Sequence, residues 1–241
     1  MNVTVQGAGV VGSVTAEILR SAGHEVSVHD PEQNFCACGH ADVTVVCTPC
    51  LDGILPWTVP ADVTVVRSTV LPDAFDVLPV GRRHHWPEFL TERTARYDAL
   101  HPDKLIWGSD LDETAAEQFA RLLLGAHYDV APQVHMSVRA SCVVKIGINS
   151  LYTSRVMLFN ALYDAVGADM DDYESVCEGI GLDQRVHLSH HHIWQDGYRG
   201  AGGKCLPKDS RFLAEMTYGC STGDFVESMC ESNDRLRRGG M

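Results

Sequence analysis

Basic side chains are scarce in this sequence, which has 19 lysines and arginines against 32 aspartates and glutamates. The formal net charge is -13 at pH 7, whereas a protein that binds nucleic acid presents a basic surface. The composition therefore argues against a general nucleic-acid binder and equally against docking on anionic lipid. An anionic small-molecule substrate would need local cations or backbone amides.

Long apolar runs are also missing. No segment approaches the ~20 apolar residues that cross a bilayer. The N-terminus has no basic region followed by an apolar core, and it begins directly with a strand pattern. We therefore expect no membrane association. The 241 residues are enough for one large or two modest domains.

The nine cysteines suggest a reducing compartment, hence the cytoplasm, because the count is odd and a chain of this size needs no disulfide framework. Cys36, Cys38, Cys47 and Cys50 could bind zinc, and the last two have the spacing of a zinc knuckle. However, Cys36 and Cys38 are too close for ordinary chelation, and Cys47 falls in a strand pattern. A solvated loop explains the three histidines at 190–192, so we predict no metal.

A glycine motif lies between a strand pattern at 2–6 and a helix pattern at 14–22. It consists of Gly7, Ala8, Gly9, Val10, Val11 and Gly12. In a dinucleotide site Gly7 permits the tight turn, Gly9 lets the pyrophosphate reach the backbone, and Gly12 lets the helix pack on the strand. The helix N-terminus supplies amides to the phosphates.

An acidic residue, Asp30, stands at the end of a second strand pattern at 24–29. Its carboxylate would accept hydrogen bonds from the adenosine ribose and would repel a 2′-phosphate, which favours NAD over NADP. The alternative is a glycine-rich turn in another kind of α/β protein. The flanking strands, the helix and the acid are all in register, so we predict an NAD site.

Further strand patterns alternate with a helix pattern, which indicates a doubly wound parallel sheet. The strands are predicted at 42–47, 62–67, 104–107 and 127–130, and the helix at 111–124. Ligands of such sheets lie beyond the carboxyl ends of the strands. Thr48 and Thr69 are therefore candidates to contact the cofactor or the reacting carbon, although a plain strand-terminating hydroxyl is the alternative. We predict an NAD-binding Rossmann domain over residues 1–131.

The second half of the sequence, residues 132–241, is predicted to be a small helical domain that begins with one long helix at 138–166. At ~1.5 Å per residue this helix would be about 40 Å long. It is more apolar than a small cap could bury, so we expect a homodimer through it. Amphipathic segments at 171–179 and 182–189 and a last helix at 224–237 follow.

Lys145 and Asn149 are four residues apart on the long helix and therefore project from one face. They could be paired donors to a developing oxyanion. The alternative is a snorkelling lysine beside an incidental asparagine.

A glycine-rich loop, Gly200 to Asp209, places a thiol, an ammonium group and a carboxylate within five residues. Cys205 has basic neighbours that favour a reactive thiolate, and Asp209 could act as a base or hold a water. Pro207 is expected to stiffen the turn. The alternative is an inert buried cysteine.

Taken together, these motifs resemble the UDP-glucose/GDP-mannose dehydrogenase family, and they are collinear with it over almost the whole sequence. The matching stretches are Ser68-Thr69-Val70, Pro87-Glu88-Phe89-Leu90, Lys145-x-x-x-Asn149, Glu178-Gly179-Ile180-Gly181-Leu182-Asp183, Gly203-Lys204-Cys205-Leu206-Pro207-Lys208-Asp209, and Asn233. The resemblance favours the functional interpretation of Cys205, Lys145, Asn149 and Thr69 over the alternatives.

The resemblance implies oxidation of a sugar primary alcohol to a carboxylate with two NAD. The Cys205 thiolate would add to an intermediate aldehyde, and a thioester would form and hydrolyse. Lys145 and Asn149 would hold the oxyanion. Asp209 and Glu92 would move protons or position water.

Further roles follow from the same resemblance. Thr69 would help orient the water, and Lys208 would assist the nicotinamide end of NAD or the thiolate. The residues expected to bind substrate are Glu88, Phe89, Leu90, Gly202 and Gly203.

The sequence also departs from the family pattern. Lys204 stands where a small residue is usual, and the stretch at 194–199 differs from the family. Arg199 and Lys204 are possible replacement cations. Family members carry a further domain that grips the nucleotide, and this sequence ends where that domain would begin. We therefore expect either that a separate chain supplies the nucleotide-binding domain or that the substrate is smaller than a nucleotide sugar.

Two other functions stay open at this point. A two-electron 3-hydroxyacid-type dehydrogenase would share the glycine motif, the long helix and the Lys-x-x-x-Asn pair, but it would lack the thiol. A non-catalytic NAD-binding subunit that stabilises a partner would have no need of the other site residues.

Overall fold

A computed structural model describes residues 1–35, 39–50 and 60–239. The chain divides into two compact units, Met1–Lys145 and Ile146–Met241. The predicted domain boundary after residue 131 stays a prediction. None of the helices in the described ranges is long and apolar enough to cross a membrane.

The first unit is built on a seven-stranded sheet in the order β2-β1-β3-β4-β5-β6-β7. Its strands are β1 Asn2–Gln6, β2 Glu25–His29, β3 Ala41–Val46, β4 Ala61–Val66, β5 Arg83–His85, β6 Leu105–Ser109 and β7 Gln133–Met136. Every adjacent pair is parallel except β5 and β6. The predicted α/β fold with a doubly wound, mostly parallel sheet is confirmed.

The centre of the sheet is strongly apolar, as expected of strands covered on both faces. The hexapeptide Ala-Asp-Val-Thr-Val-Val forms both β3 and β4, and the two copies pair in register, with Ala41 opposite Ala61 and Val45 opposite Val65. Among the described residues, three α-helices lie entirely in this unit: α1 Val10–Ser21, α2 Ala95–Leu100 and α3 Glu113–Leu124. Trp107 of β6 is fully buried in the main core cluster.

The strand predicted at 127–130 is wrong. Gly125–Val130 forms a 3₁₀ turn, and the last strand is β7. The alternation of His127, Tyr128, Asp129 and Val130 also fits a single helical turn that buries only Tyr128. The side chain of Gln133 donates to the Tyr128 carbonyl at 2.8 Å and so ties the turn to the start of β7.

The second unit contains most of α4 Val138–Ala165, together with α5 Met170–Gly181, α6 Leu206–Met216 and α7 Gly223–Arg238. A short antiparallel ribbon of β8 Trp194–Gln195 and β9 Tyr198–Arg199 adds to the predicted helices. The predicted long helix is present almost to the residue. The buried core of this unit contains Phe159, Tyr163, Tyr173, Cys177 and Ile193.

Two segments of this unit differ from the sequence prediction. Residues 182–189 are turns and irregular backbone rather than an amphipathic helix. At the start of this segment the Asp183 side chain accepts hydrogen bonds from the backbone amide and the guanidinium of Arg185 at 2.6–3.0 Å. Conversely, Pro207 begins a helix rather than only stiffening a loop. Proline suits the first helical turn because its missing N–H has no partner there and its φ is already helical.

Candidate active site

The glycine motif adopts the geometry that dinucleotide binding requires. Gly7 has a φ of 98°, and a Cβ on Gly12 would lie 1.9 Å from the Gly7 carbonyl oxygen. By contrast, a Cβ on Gly9 would meet nothing within 4 Å. Tight turning therefore explains the first and last glycines, whereas Gly9 leaves open space beside the backbone for a ligand.

Helix α1 begins directly at this motif, four residues earlier than predicted. Gly9 is its N-cap and contributes no side-chain hydrogen bond. Val10 and Val11 therefore lie in the first turn, where backbone amides are not used within the helix. These amides and the helix dipole suit a phosphate group.

Asp30 lies at the end of β2, as predicted, and is tied to the glycine motif. Its carboxylate accepts a hydrogen bond from the Ala8 amide at 2.7 Å and another from the Gln33 amide at 3.3 Å. The acid predicted to contact the ribose is thus held beside the loop predicted to contact the pyrophosphate. These residues fit an NAD cofactor.

The hydroxyl groups predicted at the strand ends have different surroundings. The Thr48 Oγ1 atom is buried and has no hydrogen-bond partner among the described residues, and such a group is costly to leave unsatisfied. A ligand or water contact at Thr48 would remove that cost. Thr69 follows β4 and is half-buried, next to Ser68, whose hydroxyl donates to the Thr48 carbonyl at 2.6 Å.

Lys145 does not snorkel to the surface. It is 5% exposed, and its ammonium Nζ donates to Glu88 Oε1 at 3.1 Å. The other Glu88 oxygen accepts from the Leu90 amide at 2.7 Å, and the Phe89 ring centroid lies 5.3 Å from Nζ. The Pro-Glu-Phe-Leu motif therefore folds into a turn that holds a carboxylate against the lysine.

Glu92 lies outside this arrangement. Its side chain is exposed, and it makes no hydrogen bond or ion pair with any residue in the described ranges. Its assignment as a proton carrier therefore has less geometric support than that of Glu88.

Two residues of the first unit were missed by sequence reasoning. Arg67 is 4% exposed and stacks on Trp86 at 3.6 Å. His85 is also buried, with Nδ1 2.8 Å from Ser141 Oγ, and burial lowers its pKa to about 3. Arg67 was predicted only as the last residue of the strand at 62–67, and no spacing rule singles out either residue.

In the second unit, Asp209 is completely buried and accepts hydrogen bonds from two predicted site residues. Asn149 Nδ2 lies 2.5 Å from one carboxylate oxygen, and Lys208 Nζ lies 2.5 Å from the other. A buried carboxylate requires such partners because an unpaired charge is strongly disfavoured away from water. Asn149, Lys208 and Asp209 therefore form one charged cluster.

Cys205 is the N-cap residue of α6, and its carbonyl accepts from the Asp209 amide at 2.9 Å. It is exposed, so it is not the buried cysteine of the alternative interpretation. Burial raises the pKa of Cys47 to about 11 and that of Cys142 to about 12, which disfavours a thiolate at those positions.

A pair of hydroxyl groups fixes the first turn of α6. Ser210 Oγ is 2.8 Å from Thr153 Oγ1 and donates to the Leu206 carbonyl at 2.9 Å. Thr153 Oγ1 also lies 3.0 Å from the Asn149 carbonyl oxygen. We call Thr153 and Ser210 the hydroxyl clamp. The clamp joins α4 to α6, and its contacting residues Thr153 and Leu206 are 53 positions apart in sequence. No local motif therefore indicates it.

The cations suggested near the glycine loop differ in availability. Arg199 is engaged, with its guanidinium 2.7 Å from Asp164 and 2.9 Å from the Asn160 side-chain oxygen. Lys204 is exposed. Gly202 is buried, and Gly203 adopts a φ of 74° with open space around it, so a ligand can approach the backbone at Gly203.

The cysteine and histidine clusters give no metal geometry. No group of three potential ligands that could hold a metal ion occurs in the part of the chain that the structure describes. Cys36 and Cys38 lie outside that part. His190 stacks on Tyr152 at 4.2 Å, so packing accounts for that histidine.

Residues 139–235 match the central-domain model of the UDP-glucose/GDP-mannose dehydrogenase family. The family resemblance is thus confirmed for this part of the chain. Members of the family use NAD, which agrees with the fit of the glycine motif and Asp30.

Curated relatives with matching sequence carry the same family's names. UDP-glucose 6-dehydrogenase AglM of Haloferax volcanii is 35% identical over 127 residues, which is 52% of this chain and 28% of the relative. UDP-glucose 6-dehydrogenase of Streptococcus pneumoniae is 33% identical over 160 residues, or 62% of this chain and 40% of the relative. The matches thus span less than half of these relatives.

Solved structures share the fold. A UDP-glucose dehydrogenase from Pyrobaculum islandicum superposes with a TM-score of 0.71 at 20% identity, covering 99% of this chain and 68% of that one. The 3-hydroxyisobutyrate dehydrogenase of Mycobacterium tuberculosis gives 0.65 at 15% identity, covering 98% of this chain and 94% of that one. At these identities the likeness concerns the fold alone.

Proposed function

We propose that this protein is an NAD-dependent dehydrogenase that oxidises the primary alcohol of a nucleotide sugar, or of a smaller sugar-like compound, to a carboxylate. The observation that carries the proposal is the arrangement at the start of α6. An exposed thiol at Cys205 precedes a buried Asp209 that is paired with Asn149 and Lys208. The family match over residues 139–235 supports it.

The role of Cys205 follows from thiol chemistry. When bound, NAD would supply the hydride acceptor for both oxidations, that of the alcohol and that of the thiohemiacetal. Between these steps the Cys205 sulfur bonds to the aldehyde carbon, and its proton passes to a base while the carbonyl oxygen becomes the thiohemiacetal hydroxyl. Loss of the second hydride and the hydroxyl proton leaves a thioester. Water then cleaves the carbon–sulfur bond and releases the carboxylate and the thiol.

The charged groups handle protons and negative charge in this proposal. Asp209 is the carboxylate nearest in sequence to the thiol and would take its proton, and Lys208 is ion-paired with Asp209. Lys145 and Asn149 stabilise the oxyanion, a pairing supported by their four-residue spacing on α4. Glu88 holds Lys145 in the first unit, and Thr69 orients the attacking water.

The cofactor and substrate contacts are assigned in the same way. Residues 1–131 would bind NAD through the glycine motif, Asp30 and Thr48, with Lys208 toward the nicotinamide. Phe89, Leu90, Gly202 and Gly203 would contact the substrate. Glu92 stays in the proposal as a second proton carrier that would have to act from the surface.

We further propose a homodimer through the helix at 138–166. Its second-unit portion exposes Leu151 at 64% and Leu158 at 61%; these leucines are seven residues apart and lie on one helix face, which a second copy of the helix would cover. A separate chain that holds the nucleotide is compatible with this assembly. The cytoplasmic location stays a prediction from cysteine usage.

A two-electron 3-hydroxyacid-type dehydrogenase is the second candidate. The observation that favours it is that the glycine motif, the long helix and the Lys145-x-x-x-Asn149 pair, which such an enzyme would share, are all present. An exposed thiol at Cys205 is not needed for that reaction. A non-catalytic NAD-binding subunit is a third candidate, which the retained site residues disfavour.

A substrate screen separates these candidates. The protein is mixed with NAD and either UDP-sugars, GDP-sugars or short 3-hydroxyacids, and NADH absorbance is followed. We expect turnover with at least one nucleotide sugar. Turnover with a hydroxyacid alone would establish the second candidate, and NAD binding without turnover on any of them would establish the third.

A further inference from the structure

The loop that precedes Cys205 is held by a side chain outside the loop. Asn233, on α7, is 2% exposed, and Ala201 is fully buried. The Ala201 amide donates to Asn233 Oδ1 at 2.7 Å, and Asn233 Nδ2 donates to the Ala201 carbonyl at 3.0 Å. One side-chain amide thus satisfies both backbone groups of a buried residue, as a neighbouring strand would.

The glycines on either side of Ala201 accommodate this contact. A Cβ at Gly200 would lie 2.7 Å from Asn233 Oδ1, and Gly200 has a φ of 85°. A Cβ at Gly202 would lie 2.9–3.1 Å from the guanidinium atoms of Arg237, one helical turn after Asn233. The same face of α7 therefore packs against three consecutive loop residues.

Helix α7 is also fastened to the element that follows Cys205. The Arg211 guanidinium of α6 binds both carboxylate oxygens of Asp234 at 2.6–2.8 Å. Asp234 is the neighbour of Asn233 in sequence. One turn of α7 thus contacts the chain both before and after Cys205, which stands between these contacts as the N-cap of α6.

We propose that Asn233 is a positioning residue, which fixes the glycine loop through Ala201 and thereby sets where the Cys205 thiol is presented. The inference deepens the proposed function, on which its kinetic part rests. Precise placement matters because a displaced nucleophile loses rate even when the fold is intact.

Asn233→Asp tests this in the whole chain, because it replaces only the side-chain NH₂ group by an oxygen. At pH 8 the ionised carboxylate can still accept from the Ala201 amide, but it cannot donate to the Ala201 carbonyl and repels it. Protonation at lower pH restores a donor, and burial favours that protonated form. Lowering the pH of the same variant therefore serves as the rescue experiment.

Hydrogen exchange measures the loop directly. At pH 8 we expect the backbone amides of residues 198–206 to exchange about tenfold faster in Asn233→Asp than in the wild type. At pH 5.5 the ratio of the two rates should return toward one. Equal exchange in both proteins at pH 8 would overturn the inference.

Kinetics then test whether the loop position matters. We expect kcat for the oxidation to fall about tenfold while KM for NAD changes less than about twofold. The matched control is Met229→Ala, which removes a buried side chain one turn earlier on α7. It should lower Tm without raising loop exchange or lowering kcat.

Two results would contradict the positioning role. One is a Met229→Ala variant that reproduces both effects at equal Tm, since Asn233 would then contribute only general stability. The other is faster loop exchange with an unchanged kcat. If the wild-type protein oxidises no candidate substrate, the proposed function fails, and the exchange data alone decide whether Asn233 holds the loop.

Discussion

In Met1–Lys145 the groups assigned to the cofactor are mostly backbone amides, whereas in Ile146–Met241 the groups assigned to the reaction are side chains. The glycine motif is six consecutive residues, and its shape depends on missing side chains. The Asn149–Asp209 contact joins residues 60 positions apart and depends on side chains being present. Binding at the backbone site should therefore be lost when an atom is added to a glycine. Activity at the side-chain site should be lost when a side-chain atom is removed.

The largest effect is expected in the second unit, where removing one sulfur should stop the reaction. Cys205→Ala should abolish carboxylate formation, by at least about 10³-fold, because no other group can form the thioester. NAD affinity should change little, since the glycine motif is untouched. Product formation followed by mass spectrometry and NAD binding by calorimetry check both parts, with Cys220→Ala, another exposed cysteine, as the control. Unaltered turnover in Cys205→Ala would remove the thiol from the mechanism.

Adding a methyl group should break the first unit in two distinguishable ways. In Gly12→Ala the Cβ would collide with the Gly7 carbonyl oxygen, so we expect a loss of roughly 1–3 kcal/mol in unfolding free energy. In Gly9→Ala the Cβ meets no protein atom within 4 Å, so the unfolding free energy should fall by at most about 1 kcal/mol, because alanine is a poorer N-cap than glycine. The NAD Kd should nevertheless rise at least about tenfold, because the backbone can no longer approach the pyrophosphate.

Thermal unfolding and NAD titration of the same two variants provide the measurement. Normal NAD binding by a stable Gly9→Ala protein would show that the open space beside Gly9 is not the pyrophosphate site.

Acid should weaken the first unit through its buried histidines. Burial lowers the pKa of His85 to about 3 and that of His84 to about 4, whereas an unfolded histidine has a pKa near ~6.5. Below that value the unfolded chain takes up protons that the folded chain does not. The unfolding free energy that depends on keeping these histidines neutral is thus fully present above pH ~6.5. It is lost as the pH falls, by at most about 1.4 kcal/mol per pH unit for each histidine.

Urea unfolding at several pH values between 7 and 4 measures this dependence. His85→Gln should flatten the loss, and His187→Gln, a change at an exposed position of the second unit, should leave it as in the wild type. An identical pH dependence in His85→Gln would contradict the assignment.

The smallest effect is expected at the hydroxyl clamp of the second unit. Thr153→Val keeps the side-chain shape and removes the contacts with Ser210 and Leu206, so we expect a loss of about 1 kcal/mol in unfolding free energy. Since the clamp fixes the first turn of α6, kcat should fall as well. Ser154→Ala, at the next, half-buried position, is the matched control, because the Ser154 hydroxyl bonds only the Leu151 carbonyl within α4. A Thr153→Val protein as stable and active as the control would show that the clamp is dispensable.

The same contrast explains which features the sequence could predict. The glycine motif, Asp30 and the strand periodicity are local, so spacing was enough to identify them. The long helix was also predicted, because its end at Gly167 and its apolar content are local features. The motifs around Cys205 and Lys145 were found through family resemblance rather than through any periodic pattern.

Features that depend on distant contacts could not be predicted. Strand β5 has only three residues, two of them histidines, and owes its place to pairing with β4 and β6. The start of α6 was missed because a proline after a glycine loop is equally typical of a turn. The hydroxyl clamp and the Asn233 contact with Ala201 join separate elements, and single residues of these types occur in many unrelated settings.

The ratio of NADH formed to carboxylate formed tests the central claim most directly, since it counts the oxidations carried out by the Cys205 centre. With a nucleotide sugar that the substrate screen identifies, we predict two NADH per carboxylate and no accumulation of free aldehyde. One NADH per product, with the aldehyde or ketone as the end point, would contradict the thioester mechanism.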